Sequence, residues 1–232
     1  MLSKKELEIM RKNGQIHNKI FTAIKQMLAP VCAKQVDDLA LKMCIDAVLS
    51  AFTVYGYKYT LQTSVNDVVV HGRPLESIVF KEDVVTIDFG VKDKKYICTD
   101  AAFTMLIGDE EKFPKKVAFL KVETALKLAL EKAVANRVDI NAVESYVNAH
   151  YHIIRELTGH VGKTLHEHPY IYNYGEPGQT KLKAMTIAIE PILFSSKIVD
   201  EGDWEIYIED GSIGCQFEHT VLITDGKPEI IV

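Results

Sequence analysis

Four carboxylates and one imidazole stand where this chain can least tolerate a bare charge. Asp88 ends the run Val84-Val85-Thr86-Ile87, and Asp100 follows Cys98-Thr99 in a second strand-like stretch. Glu190 follows Met185-Thr186-Ile187-Ala188-Ile189 and precedes Pro191. Glu218 lies within Cys215-Gln216-Phe217-Glu218-His219-Thr220-Val221-Leu222-Ile223, and His160 sits in Gly159-His160-Val161-Gly162. An ionised carboxylate in a buried strand costs on the order of several kcal/mol unless it is paired or bound to a cation. One such residue is explained by a core ion pair. Four of them with a glycine-flanked histidine point to a shared cation site, so the fold has to bring strands from positions 88 and 218 together.

The rest of the chain bounds the class. With 232 residues, 47% of them hydrophobic and 25% charged, residues 1–232 are expected to form a single domain with a sizeable core. A net charge of −5 leaves no nucleic-acid footprint. No apolar run approaches the roughly 18 residues of a membrane span. The start, Met-Leu-Ser-Lys-Lys-Glu-Leu-Glu, carries acids and no apolar region, so it does not read as a signal peptide, and a cytoplasmic protein is expected. Cys32, Cys44, Cys98 and Cys215 are far apart and form no C-x-x-C pair, which argues against structural zinc and for reduced thiols.

Periodicity gives the order of elements. Residues 3–28 read as an amphipathic helix opened by a Ser3–Glu6 capping box and stopped before Pro30. A second helix is expected over 35–53. Strands are expected at Tyr57–Thr63, Val68–Val70, Val84–Val91 and Tyr96–Leu106, the last two joined as a hairpin through Lys92-Asp93-Lys94-Lys95. The order then restarts, with helices over 113–136 and 139–158 and strands at 184–190, 204–208, 215–224 and 228–232. The expectation is therefore one α+β domain of two similar halves, with helices covering a curved antiparallel sheet and the ligand set where the halves meet. A hairpin puts alternate residues of both strands on one face, so Asp88 and Asp100 can converge. Five ligands, oxygen-rich with one nitrogen, suit two ions sharing carboxylates; Mn, Fe or Co fit that set best, with Zn also open.

The motifs resemble those of type I methionine aminopeptidases, of the pita-bread metallopeptidase fold. Ser64-Val65-Asn66-Asp67-Val68-Val69-Val70-His71-Gly72-Arg73-Pro74 is similar to that family's S-x-N-[ED]-x-x-x-H-G-x-P. The segments ending at Asp88, opening at Asp100, around Gly159-His160 and His166-Glu167-His168-Pro169, at Thr186–Pro191 and at Gln216–Thr220 follow in the family's order. The resemblance implies that Asp88 holds one metal, that Asp100 and Glu218 bridge two, and that His160 and Glu190 bind the second. It implies a hydroxide between the metals as nucleophile, Glu190 as its proton acceptor, and His71 and His166 as donors to the substrate and to developing charge. The stretch from His160 to His166 is one residue shorter than the family pattern, which keeps His168 open as the alternative to His166. The spacing from Asp88 to Asp100 is one residue longer.

By the same resemblance Tyr57, Gln62, Leu165 and Trp204 wall the methionine slot. Gln62 stands where the family commonly has cysteine, and Leu165 where it commonly has a bulky aromatic. A polar Gln62 in an apolar slot needs a hydrogen-bond partner. A monovalent cation near Asn66 is a further implied ligand. His219, next to Glu218 on a strand, is expected to point the other way and to serve structure. The implied activity is that of a cytoplasmic, monomeric methionyl aminopeptidase that removes initiator methionine from nascent polypeptides with a small second residue, and the resemblance leaves room for a transient ribosome contact. Two rivals remain at this point: an X-Pro peptidase of the same fold, which would carry a large N-terminal domain, and a binding protein of that fold that has lost catalysis.

Overall fold

The structure is a computed structural model that describes residues 2–27, 30–53, 55–109, 111, 152–154, 157–161, 167–172, 185–189, 192–194, 198–200, 203–224 and 227–232. In chain order the elements are α1 (Lys4–Met27), β1 (Val31–Cys32), α2 (Ala33–Asp46), β2 (Ser50–Phe52), β3 (Gln62–Val65), β4 (Val68–Val70), β5 (Val79–Phe80), β6 (Asp83–Lys92) and β7 (Cys98–Ile107). The second part holds β8 (His152–Ile153), β9 (Thr158–Val161), β10 (Glu167–Tyr172), β11 (Met185–Ile189), β12 (Ile192–Phe194), β13 (Ile198–Asp200), β14 (Ile206–Ile208), β15 (Cys215–Gln216), β16 (His219–Thr224) and β17 (Lys227–Ile230). All strand pairs among the described residues are antiparallel.

The hairpin β6–β7 organises the first half. It is paired along ten positions, with β2 and β3 following one another along the outer edge of β6. Every odd residue of β6 from Val85 to Val91 enters the main core, where Ile20, Phe21 and Ile24 of α1 and Val36, Ala40 and Cys44 of α2 pack upon it. Period-two alternation therefore sends the even residues Thr86, Asp88 and Gly90 to the opposite face. The second half contributes a five-stranded sheet ordered β10-β9-β11-β16-β17. Among the described residues the two sheets meet at one backbone bridge, Ala102 with Glu218, made by N–H to O hydrogen bonds of 3.3 and 3.0 Å.

Several expected boundaries move, each for a local reason. Helix α2 stops at Asp46 rather than continuing to 53, because Val48 turns left-handed at φ 60° and residues 50–52 pair with β6. The strand expected from Tyr57 starts only at Gln62, because buried Asp37 takes the N–H groups of Thr60 and Leu61 at 2.7 and 3.1 Å, leaving neither for a ladder. The strand expected over 215–224 is two strands, broken at Phe217-Glu218. The chain is already extended at 152–153, inside the helix expected over 139–158; the remainder of that helix up to 151, and the one expected over 113–136, lie outside the described residues. The Ser3–Glu6 capping box is formed, and all four cysteines are reduced.

Candidate metal centre

The register makes the site a row across the strands. Gln62 of β3 faces Asp88 of β6, Asp88 faces Ala102 of β7, and Ala102 bridges Glu218. Asp100 lies two residues before Ala102, on the same face. Directly opposed side chains have Cβ atoms about 5 Å apart, and the methyl of Ala102 leaves the centre of this row open. One oxygen from each of Asp88, Asp100 and Glu218 lies within 4.8 Å of the others. Glu218 is buried and the two aspartates are half-buried.

Threonine hydroxyls hold this row in place on both sides of the bridge. Thr220 Oγ1 accepts from the Asp100 N–H at 2.8 Å and donates to the Asp100 carbonyl at 2.7 Å. Thr104 Oγ1 accepts from the Gln216 N–H at 3.0 Å, donates to the Gln216 carbonyl at 2.7 Å, and lies 2.7 Å from Thr86 Oγ1. Side chains here do the work of ladder hydrogen bonds, which is why the strand breaks at 217–218 without detaching.

The electrostatics suit a cation. Loss of solvent pushes the Asp88 carboxyl up to about 7, against a hydrogen bond with Gln216 that lowers it. Loss of solvent, and then the charge of Asp88, push Asp100 well above the carboxylate range. Three acids sharing one small space repel when ionised, and a divalent cation relieves that repulsion. The three clustered acids offer only oxygen, which suits hard or borderline divalent ions.

His71 is the residue directly after β4, left-handed at φ 60° and half-buried. Its N–H donates to Gln62 Oε1 at 3.0 Å, which supplies the partner that a polar residue at position 62 requires. Gly72 follows, where a Cβ would sit 2.2 Å from the Thr63 carbonyl oxygen, so no side chain fits. Tyr57 is buried, donates from its hydroxyl to the Gly72 carbonyl at 2.8 Å, and meets the Trp204 indole edge-on at 5.2 Å. Asn66, also left-handed, spends its amide on turn closure: Nδ2 donates to Asp83 at 2.8 Å and Oδ1 accepts from the Val84 N–H at 3.1 Å. His219 Nδ1 lies 3.1 Å from the Val232 carbonyl oxygen.

His160 falls in β9, whose Val161 pairs with Ile187 of β11. Strand β11 ends at the residue before Glu190, and its Ile189 pairs with His219. Glu190, Leu165 and His166 themselves lie outside the described residues. His168 falls in β10. Thr86, Thr104, Ser64, Arg73 and Glu205 hold the site together in ways the sequence did not assign. The first two alternate with Asp88 and Asp100 on the same strand faces, and that alternation was the available signal.

A profile of metallopeptidase family M24 matches residues 8–225. The chain belongs to metallopeptidase family M24. Among curated proteins, the methionine aminopeptidase of Mycoplasma capricolum subsp. capricolum is 33% identical, with 99% of this chain and 96% of the relative covered. Among solved structures, the methionine aminopeptidase of Thermotoga maritima superposes with a TM-score of 0.87 at 33% identity, covering 99% of this chain and 97% of the other. A prolidase from Thermococcus sibiricus shares the fold at a TM-score of 0.71 and 24% identity, and all of this chain spans only 60% of it. The pita-bread architecture and the metallopeptidase class thus stand, and M24 membership accounts for a carboxylate cluster built to take divalent metal.

Proposed function

We propose that this chain is a metal-dependent aminopeptidase that removes the N-terminal methionine of peptides and proteins. The row Gln62–Asp88–Ala102–Glu218 with Asp100 beside it carries the reading: three convergent acids in a chain similar from end to end to methionine aminopeptidases. The X-Pro reading has only a likeness of fold in its support.

Asp88, Asp100 and Glu218, with His160 and Glu190, are the residues that would hold two divalent cations, of Mn, Fe, Co or Zn. Bound there, the ions supply charge that polarises a peptide carbonyl and acidifies water. The remaining chemistry falls to the chain. Glu190 accepts the proton of the attacking water at its carboxylate and returns it to the leaving amide nitrogen. His71 and His166 donate hydrogen bonds to the peptide and to the oxygen on which charge develops. Tyr57, Gln62, Leu165 and Trp204 wall the side-chain slot. With Gln62 Oε1 engaged by the His71 N–H, that oxygen brings no unmet acceptor into an apolar wall.

The test is release of methionine from Met-Ala-Ser after chelation and re-addition of Mn²⁺ or Co²⁺. Metal-dependent release is expected, lost in Glu190→Ala. A folded, metal-loaded protein that frees no methionine, or that cleaves Leu-Ala-Ser equally well, would refute the reading.

A further inference from the structure

Three consecutive backbone N–H groups are each held by a side chain. Those of His71, Gly72 and Arg73 donate to Gln62 Oε1 at 3.0 Å, Ser64 Oγ at 3.2 Å and Glu205 Oε1 at 3.2 Å. The first two acceptors ride on neighbouring β3. The third arrives from the stretch leading into β14, in the other half of the chain. The same Glu205 oxygen also takes the Arg73 Nε at 2.6 Å. Glu205 is only 6% exposed. Burial pushes its carboxyl up, but hydrogen bonds from the Arg73 side chain and from the backbone N–H groups of Glu205 and Arg73 outweigh that and hold the acid below its usual range.

Glu205 is the residue after Trp204. The Trp204 indole meets the Tyr57 ring, and the Tyr57 hydroxyl returns to the Gly72 carbonyl. The loop that carries His71 and the aromatic wall are therefore tied twice, through Tyr57 and through Glu205. An exposed ion pair contributes little. A buried carboxylate that accepts from both the backbone and the side chain of one arginine fixes geometry, because losing either donor strands the charge. The loop requires such a tie, since His71 is a non-glycine residue in the left-handed region.

We propose that Glu205, acting with Arg73, is a positioning residue of this peptidase: it locks the His71 loop to the Trp204 wall so that the side-chain slot and the substrate-contacting histidine keep a fixed separation. This rests on the reading of His71 and Trp204 as substrate contacts given above.

Trp204 is the chain's only tryptophan, so its fluorescence reports the frame directly. Glu205→Gln keeps size and an acceptor but removes the charge. Arg73→Lys keeps charge but loses the planar Nε–H. In both, acrylamide quenching of Trp204 is expected to rise, and kcat/KM for Met-Ala-Ser to fall about tenfold, chiefly through KM. A merely structural role would lower the melting temperature and leave both readouts unchanged in the folded protein. Unchanged quenching and KM in both variants, measured well below melting, overturns the proposal. Should Glu205→Gln fail to fold, Arg73→Lys decides alone, because Arg73 is partly exposed. If the unaltered chain frees no methionine, the peptidase reading fails, and Trp204 quenching still decides whether the tie holds the frame.

Discussion

At position 17 a histidine is fully buried where α1 meets the hairpin. Its Nδ1 lies 3.2 Å from Thr99 Oγ1, its ring centroid is 4.7 Å from Phe21 and 4.4 Å from Phe89, and its Nε2 has no partner among the described residues. Burial pushes its pKa down to about 3, so the folded chain holds it neutral. The unfolded chain takes up a proton below about pH 6.5. Between those values the unfolded state binds more protons, so stability is full above pH 6.5 and drains away as pH falls toward 3. From pH 7 to pH 5 this one group removes on the order of 2 kcal/mol. Urea unfolding at the two pH values should show the unaltered chain losing that much more than His17→Leu. Equal losses would mean that the ring is protonated or hydrated in the fold. Nothing in the local sequence singles this histidine out from His150 or His152; only the packing of Phe21 and Phe89 does.

At the scale of elements, what could be read in advance was what periodicity and charge write locally. The hairpin of Asp88 and Asp100 was legible because β6 alternates core residues with Thr86, Asp88 and Gly90, and because a buried acid needs a reason. The ends of α2 and β3 were not, since each is set by one long-range or strained feature: Asp37 capturing Thr60 and Leu61, and Val48 at φ 60°. A β-branched residue is poorly suited to that conformation, and Val48 is 61% exposed, so burial offers no compensation. Val48→Gly should therefore stabilise the chain by about 1 kcal/mol, because glycine adopts the turn without a Cβ clash. Urea denaturation measures it, and a loss of stability would show that Val48 makes a contact worth more than its strain. The short strands β1, β5 and β8 were equally hidden. Two residues carry no period, and their pairing is decided by partners far along the chain.

Across the whole molecule the cation site doubles as a joint. Asp88 and Asp100 belong to the first half and Glu218 to the second, and among the described residues the backbone link beside them is the Ala102–Glu218 bridge flanked by the Thr104 and Thr220 hydroxyls. A cation held by all three acids relieves their repulsion and draws the halves together, whereas chelation restores the repulsion at the joint. Divalent metal at about 100 times its Kd should stabilise the chain by roughly 2.7 kcal/mol, which for a chain of this length raises the melting temperature by about 5–10 °C. Thr220→Val separates the joint from the ligands. It leaves every acid in place but strips the Asp100 N–H and carbonyl of their shared hydroxyl, at a cost of about 1–3 kcal/mol. If Asp100 is held in its ligating position by that hydroxyl, the variant binds Mn²⁺ more weakly as well as melting lower, and calorimetric titration of the chelated protein reads both the affinity and its change. A variant that melts lower yet binds Mn²⁺ with unaltered affinity would show that the acids find the cation without the clamp. The metal would then assemble its own site, rather than enter one the two sheets have already built.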